Sequence, residues 1–189
     1  HPKYYQDYAD YFVKWIRAFE AEGIPIYAVT PQNEPLNRGN CASTYVSWEE
    51  EAELLRAMAP TFKRNKLKTK IYAFDHNYNY DNIASERNYP INIYEKLGSS
   101  DGNEYVVGAA YHNYGGSYEE LERIHRQNPD KELIFSEASI GTWNHGRDLT
   151  KSLLRDVEQL SLATVNRWCK AVVVWNLMLD TKRGPNLDG

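Results

Sequence analysis

Apolar residues at Tyr5, Tyr8, Phe12, Trp15, Ile16 and Phe19 recur at three- and four-residue steps, so the first twenty-odd residues predict an amphipathic helix that stops at Gly23. A strand over 24–30 follows. Ser47-Trp48-Glu49-Glu50 has the S-x-x-E form of a capping box and opens a helix through Ala52, Leu55, Met58 and Ala59, which Pro60 interrupts or kinks. A strand over 70–75 comes next, then a tyrosine-rich loop, a short helical stretch near 91–97 and a buried strand over 105–111. Ser117-Tyr118-Glu119-Glu120 repeats the capping-box form at the head of another helix. Residues 132–136 form a short apolar strand. Leu153, Val157, Leu160, Thr164 and Trp168 mark a helix face, and 171–179 is a final buried strand.

Strands apolar on both faces and alternating with helices predict an α/β protein whose parallel sheet is covered by helices. Two architectures suit the pattern: a doubly wound open sheet and a (β/α)₈ barrel of the TIM type. The first calls for a glycine-rich phosphate loop after a strand, and neither G-x-G-x-x-G nor a Walker sequence is present. Instead the predicted strands end in polar groups: Asn33-Glu34, Asp75-His76-Asn77, His112-Asn113-Tyr114, Ser136-Glu137 and Trp175-Asn176. Chemistry gathered at the C-terminal ends of successive strands is the arrangement of a barrel active site. No linker or low-complexity tract divides the chain, so 1–189 reads as one domain or one piece of one.

Composition narrows the function. With 22 basic and 26 acidic residues and a net charge of -4, the chain carries no electrostatic footprint for nucleic acid or an anionic membrane. No apolar run approaches the length of a membrane helix, so no membrane insertion is expected, and the first residues lack the order of a signal peptide. Cys41 and Cys169 form no disulfide framework and no CxxC pair. The five histidines show neither HxxxH nor HExxH spacing, which argues against a metal site, and no cofactor is expected. Tyrosine, at 15 residues against 5 Trp and 5 Phe, exceeds what a dry core requires and suits a wet binding cleft.

Glu34 and Glu137 each end an apolar strand, where an unpaired charge would be costly to desolvate. Two carboxylates converging on one mouth suit glycoside hydrolysis, one protonating the leaving oxygen and the other attacking the anomeric carbon or activating water. The structural alternative is an ion pair of each Glu with a neighbouring Arg or Lys. Tyr78, Tyr80, Tyr118 and Trp143 follow strands and could serve as sugar platforms, or simply pack.

Ala28-Val29-Thr30-Pro31-Gln32-Asn33-Glu34-Pro35, preceded by Tyr11-Phe12-Val13-Lys14-Trp15, resembles the strand-4 region of glycoside hydrolase family 30, a family of retaining (β/α)₈ hydrolases in which Asn-Glu-Pro is the acid/base signature. Phe135-Ser136-Glu137-Ala138-Ser139 resembles the strand-7 nucleophile segment. Val174-Trp175-Asn176-Leu177-Met178-Leu179-Asp180, with Gly184-Pro185-Asn186, resembles strand 8 and its loop, and Asp75-His76-Asn77 and His112-Asn113-Tyr114 match strands 5 and 6. The resemblance implies Glu34 as acid/base, with a raised pKa, and Glu137 as an ionised nucleophile. It implies Asn33 on the sugar 2-hydroxyl, Tyr114 beside the nucleophile, Trp175 beneath the sugar and His112 in the sugar site. Asp75, His76, Asn77 and Trp143 are further candidate contacts with sugar.

The same resemblance implies a chain covering strands 4 to 8, with strands 1–3 and an accessory β-sandwich outside it and the remainder of the barrel in the same full-length chain. The segment 139–144 is similar to the β-1,6-glucanase branch, which makes a β-glucan the expected partner and glucosylceramide the second choice, ahead of other β-glycosides such as xylan. A secreted or periplasmic protein is expected. Two competing readings are a non-catalytic carbohydrate-binding fragment and, more distantly, a nucleotide-binding domain.

Overall fold

A computed structural model describes residues 1–39, 44–139 and 148–175. Five parallel strands form one sheet in chain order: β1 (Ala28–Val29), β2 (Lys70–Asn77), β3 (Val106–His112), β4 (Glu132–Glu137) and β5 (Cys169–Val172). Helix α1 (Tyr5–Ala21) precedes β1, and α2 (Trp48–Arg64), α3 (Tyr89–Leu97) and α4 (Glu119–Gln127) occupy the crossovers. The last crossover holds α5 (Leu149–Asp156), a π-helical stretch (Val157–Leu162) and α6 (Ala163–Val165).

Helix α1 ends in a Schellman motif: Gly23, at φ +79°, donates to the Glu20 carbonyl and Ile24 donates to that of Phe19. Helix α2 begins with the complete capping box, Ser47 and Glu50 bonding each other's backbone N–H. It runs through Pro60 without the expected interruption. A mid-helix proline costs about 3 kcal/mol, whereas fully burying Leu55, Met58 and Phe62 returns roughly 1.5–3 kcal/mol each. The second capping box does not form. Ser117 accepts from Glu119 N, while Glu120 turns to Tyr80 and Arg123.

Three other expectations shift. Strand β1 pairs only Ala28 and Val29, because β2 begins at Lys70 and Pro25 has no N–H to offer a ladder. Strand β5 lies earlier than 171–179; Val173 and Trp175 still donate to the carbonyls of Phe135 and Ala138, and residues from 176 on lie outside the described set. Of the predicted last helix face only Leu160 and Thr164 are buried, while Leu153, Val157 and Trp168 are exposed.

Two irregularities bear on function. In β2 the register skips Asp75, with Phe74 opposite Ala110 and His76 opposite Tyr111. Both Phe74 and Asp75 sit at positive φ. In β4 it skips Ser136, with Phe135 opposite Tyr111 and Glu137 opposite His112. Such bulges bend a strand and re-aim its side chains. The skipped residues meet across β3, where Ser136 Oγ donates to Asp75 Oδ1 at 2.6 Å.

Candidate active site

The loop after β1 carries Glu34 in a left-handed turn, φ +46°, that ordinary residues adopt only under constraint. Its N–H donates to the Asp75 carbonyl and its own carbonyl accepts from Asn37 N, so the turn is tied to the bulge of β2. The side chain is buried, with Oε2 accepting from Asn37 Nδ2 at 2.7 Å and Oε1 lying 3.3 Å from His112 Nδ1. His112, at the end of β3 and fully buried, reaches Asp75 Oδ1 with Nε2 at 3.0 Å. Asp75 also accepts from Thr30 Oγ1 and Ser136 Oγ, both at 2.6 Å. Glu34, His112 and Asp75 therefore form one buried chain, an imidazole held between two carboxylates.

This chain sets the charges. Burial works against an imidazolium, but the bonds to Asp75 and Glu34 raise His112 to about 9. The His112 bond is the largest influence on Glu34 and outweighs its burial; with Asn37 and the charges of His76 and His112 it brings Glu34 down to about 2. Burial pushes the Asp75 carboxyl up, yet His112, Ser136 and Thr30 together hold it below the ordinary value. Burial lowers His76 below the ordinary imidazole value, against the pull of Asp81 and Glu34.

Glu137, at the end of β4, accepts from Tyr114 Oη at 3.1 Å, and Tyr114 lies equally close to Ser139 Oγ. Burial raises the Glu137 carboxyl above the ordinary range; the charge of His112 and the Tyr114 bond oppose this, and the charges of Glu34 and Asp75 reinforce it. The expected ordering, Glu34 raised and Glu137 held ionised, is thus reversed. The cation in the cluster is bonded to Glu34, whereas Glu137 faces it only at a distance.

Of the other candidates, Asn33 is exposed at the mouth, and Trp175, 61% exposed, stands beside the end of β4 through its bond to Ala138. Asp75 and His76 lie beneath the surface, where Asp75 orients His112 and both of its oxygens are engaged; a direct sugar contact is not what this placement offers. Asn77 is spent on Asp81 and on the Tyr114 N–H, so it positions Tyr114. Tyr78 and Tyr80 are not platforms. Tyr78 stacks on Tyr111, Tyr80 bonds Tyr111 and Glu120, and both are buried. Tyr118 packs under the Arg167 guanidinium, and Trp143 lies outside the described residues.

Sequence reasoning passed over Asn37, Asp81, Ser139 and Glu51. Fully buried in α2, Glu51 accepts from the Phe74 N–H at 2.9 Å, a donor at the β2 bulge. Its position had a signal, since 51, 55, 58 and 62 fall on the apolar stripe of α2. His76, His112 and Glu34 also bring one potential ligand atom each within 4.8 Å of one another. Spacing along the chain could not reveal this trio, because it comes from two strands and a loop.

The model of the glycosyl hydrolase family 30 TIM-barrel domain matches residues 1–188. The chain belongs to this family. Among solved structures, the endo-β1,6-glucanase BT3312 is 63% identical and superposes with a TM-score of 0.93 over all of this chain and 41% of its own. An endo-1,6-β-D-glucanase of Neurospora crassa is 30% identical over 98% of this chain, and the lysosomal acid glucosylceramidase of Mus musculus is 25% identical over 97%. The chain spans 36% of the length of each of these two curated relatives. Its five parallel strands are consecutive units of a family 30 barrel, part of the eight-stranded whole.

Proposed function

We propose that the protein is a retaining β-glycoside hydrolase acting on β-1,6-glucan, with Glu137 as nucleophile and Glu34 as acid/base. The observation that carries this reading is the placement of the two carboxylates at the C-terminal end of one parallel sheet, close enough for the charge of Glu34 to act on Glu137. A retaining site holds its carboxyls about 5–5.5 Å apart. Glu137 attacks the anomeric carbon as the bond to the leaving oxygen breaks, and Glu34 gives that oxygen a proton. Water then opens the glycosyl ester with Glu34 as base.

Tyr114 steadies Glu137 for attack, Asn33 meets the sugar 2-hydroxyl and Trp175 supplies the ring under the sugar. The proton Glu34 needs rests on His112 in the free protein. When sugar covers the mouth and excludes water, the separated charges lose their solvation and the proton passes to Glu34. This chain contributes five of eight barrel units, and the others belong to the same full-length protein, which works outside the cytoplasm where glucan polymer is met.

The test is parallel hydrolysis of a linear β-1,6-glucan, glucosylceramide and xylan by the full-length protein, with the first-formed anomer followed by NMR. Release of β-configured product from the glucan is expected. Cleavage of xylan alone, or an inverted first product, would overturn the assignment.

A further inference from the structure

His76 and His112 share one pattern. Each points Nδ1 at the same atom, Glu34 Oε1, at 4.0 Å for His76 and 3.3 Å for His112. Each turns Nε2 to a carboxylate behind it, Asp81 Oδ2 at 3.1 Å and Asp75 Oδ1 at 3.0 Å. Metal-bound histidines are held with one ring nitrogen on an outer carboxylate and the other directed at the ion; His112 is hydrogen-bonded to Asp75 in this way, and His76 stands beside Asp81 without hydrogen-bond geometry. His76 adds a second observation. It is fully buried, and neither of its ring nitrogens makes a hydrogen bond of good geometry among the described residues. A buried imidazole in that state is costly unless something else satisfies it.

We propose that Glu34, His76 and His112 form a binding site for a borderline transition-metal ion, Zn²⁺ above all, whose occupation blocks hydrolysis. Two imidazoles and one carboxylate are a donor set for Zn²⁺ rather than for Mg²⁺ or Ca²⁺, which favour oxygen. Ligand atoms around tetrahedral Zn²⁺ stand about 3.4 Å apart. The Glu34–His112 pair already meets that spacing, and His76, with Nδ1 at 4.0 Å from Glu34 Oε1, must move in towards both. The proton between His112 and Glu34 leaves to solvent as the ion enters. The blocking effect rests on the reading of Glu34 as proton donor, since a carboxylate bound to the ion cannot carry the proton.

Zn²⁺ titration of the chelator-treated full-length protein by calorimetry, with Co²⁺ visible absorption as a second probe, is expected to show one ion per chain. His76→Gln should weaken binding at least about 100-fold, and Asp81→Asn, which removes only an outer partner, about 10-fold. Circular dichroism establishes that each variant is folded. Hydrolysis should fall over the Zn²⁺ range that fills the site and return on adding EDTA, while Mg²⁺ and Ca²⁺ do neither. No binding by wild type at millimolar Zn²⁺, or wild-type affinity in both folded variants, would overturn the site. Zn²⁺ binding that depends on His76 but leaves hydrolysis untouched would keep the site and overturn Glu34 as proton donor.

Discussion

At the residue scale, Glu34 and Glu137 are separated by what faces them. His112 is bonded to the first and only adds its charge to the second, so substitutions at the three positions should differ in kind. Glu137→Gln is expected to lower kcat by about 10⁴-fold or more while sugar binding persists, measured by steady-state kinetics and calorimetry. On the proposed mechanism His112→Gln removes the group that stores the proton. The high-pH limb of kcat/KM, set near 9 by that group, should move down, and the pH–rate profile would show it.

The same residues govern stability. The folded-state value of His112 is raised, so its contribution is complete below about 6.5 and fades as pH rises through about 9. Glu34 is depressed, so its contribution is present above about 4.5 and fades as pH falls through about 2. The two values describe one interaction seen from both partners. Thermal melts of His112→Gln against wild type should therefore differ most between about pH 4.5 and 6.5 and converge towards both extremes.

At the element scale, β2 keeps its bulge because α2 supplies Glu51. Burial raises this carboxyl to about 7, against the Phe74 and Tyr89 bonds. In its neutral form every local group is satisfied: Oε1 accepts from Phe74 N–H, the acid proton goes to Tyr89 Oη, and Tyr89 donates to the Val46 carbonyl. Glu51→Ala should cost about 3 kcal/mol by stranding that network. Glu51→Gln should hold the fold and flatten the loss of stability that wild type shows as pH rises from about 4.5 through about 7, both read from denaturant melts.

Gly108 is the complementary case, a residue chosen for what it lacks. A Cβ there would lie 1.9 Å from the Glu132 carbonyl oxygen, so Gly108→Ala must push β3 from β4 and should give little soluble protein on expression. The apolar stripes of α1 and α2 and the runs of β2, β3 and β4 are legible from the chain, since burial dictates them. The bulges are not, because Asp75 and Ser136 keep the alternation of an unbroken strand and betray nothing until neighbouring strands are paired. Glu34 and Glu137 were legible as charges ending apolar runs; their relative acidity was not, since it depends on His112 from a third strand.

At the scale of the whole molecule, the carboxylates divide by end. Glu132, at the N-terminal end of the sheet, is neutralised by Lys70 and Lys170 and bonded by Tyr72, a structural cluster. Glu137, at the opposite end, is met by a tyrosine and by no Lys or Arg among the described residues. The flanks of the sheet tell the other half. Tyr11, Ile24 and Tyr27 on one side and Leu149, Leu153, Leu154 and Leu162 on the other are exposed, and among the described residues β1 and β5 each pair with one neighbour. Strand edges beside apolar surface associate. Residues 1–189 produced alone should therefore self-associate in light scattering and bind a hydrophobic dye, and a longer chain carrying the remaining barrel units proposed above should do neither.

The bond between Asp75, His112 and Glu34 has one more consequence. Two carboxylates and one imidazolium carry a single net negative charge, and so do one carboxylate, a neutral imidazole and a carboxylic acid. Passing the proton from His112 to Glu34 therefore leaves the charge seen from outside unchanged. Dissolved salt, which screens net charge over distances of about 10 Å at 0.1 M, has almost no purchase on such an internal exchange. On the proposed mechanism the acid would be armed in dilute or saline surroundings alike, with the arrival of a sugar over the mouth tipping the balance.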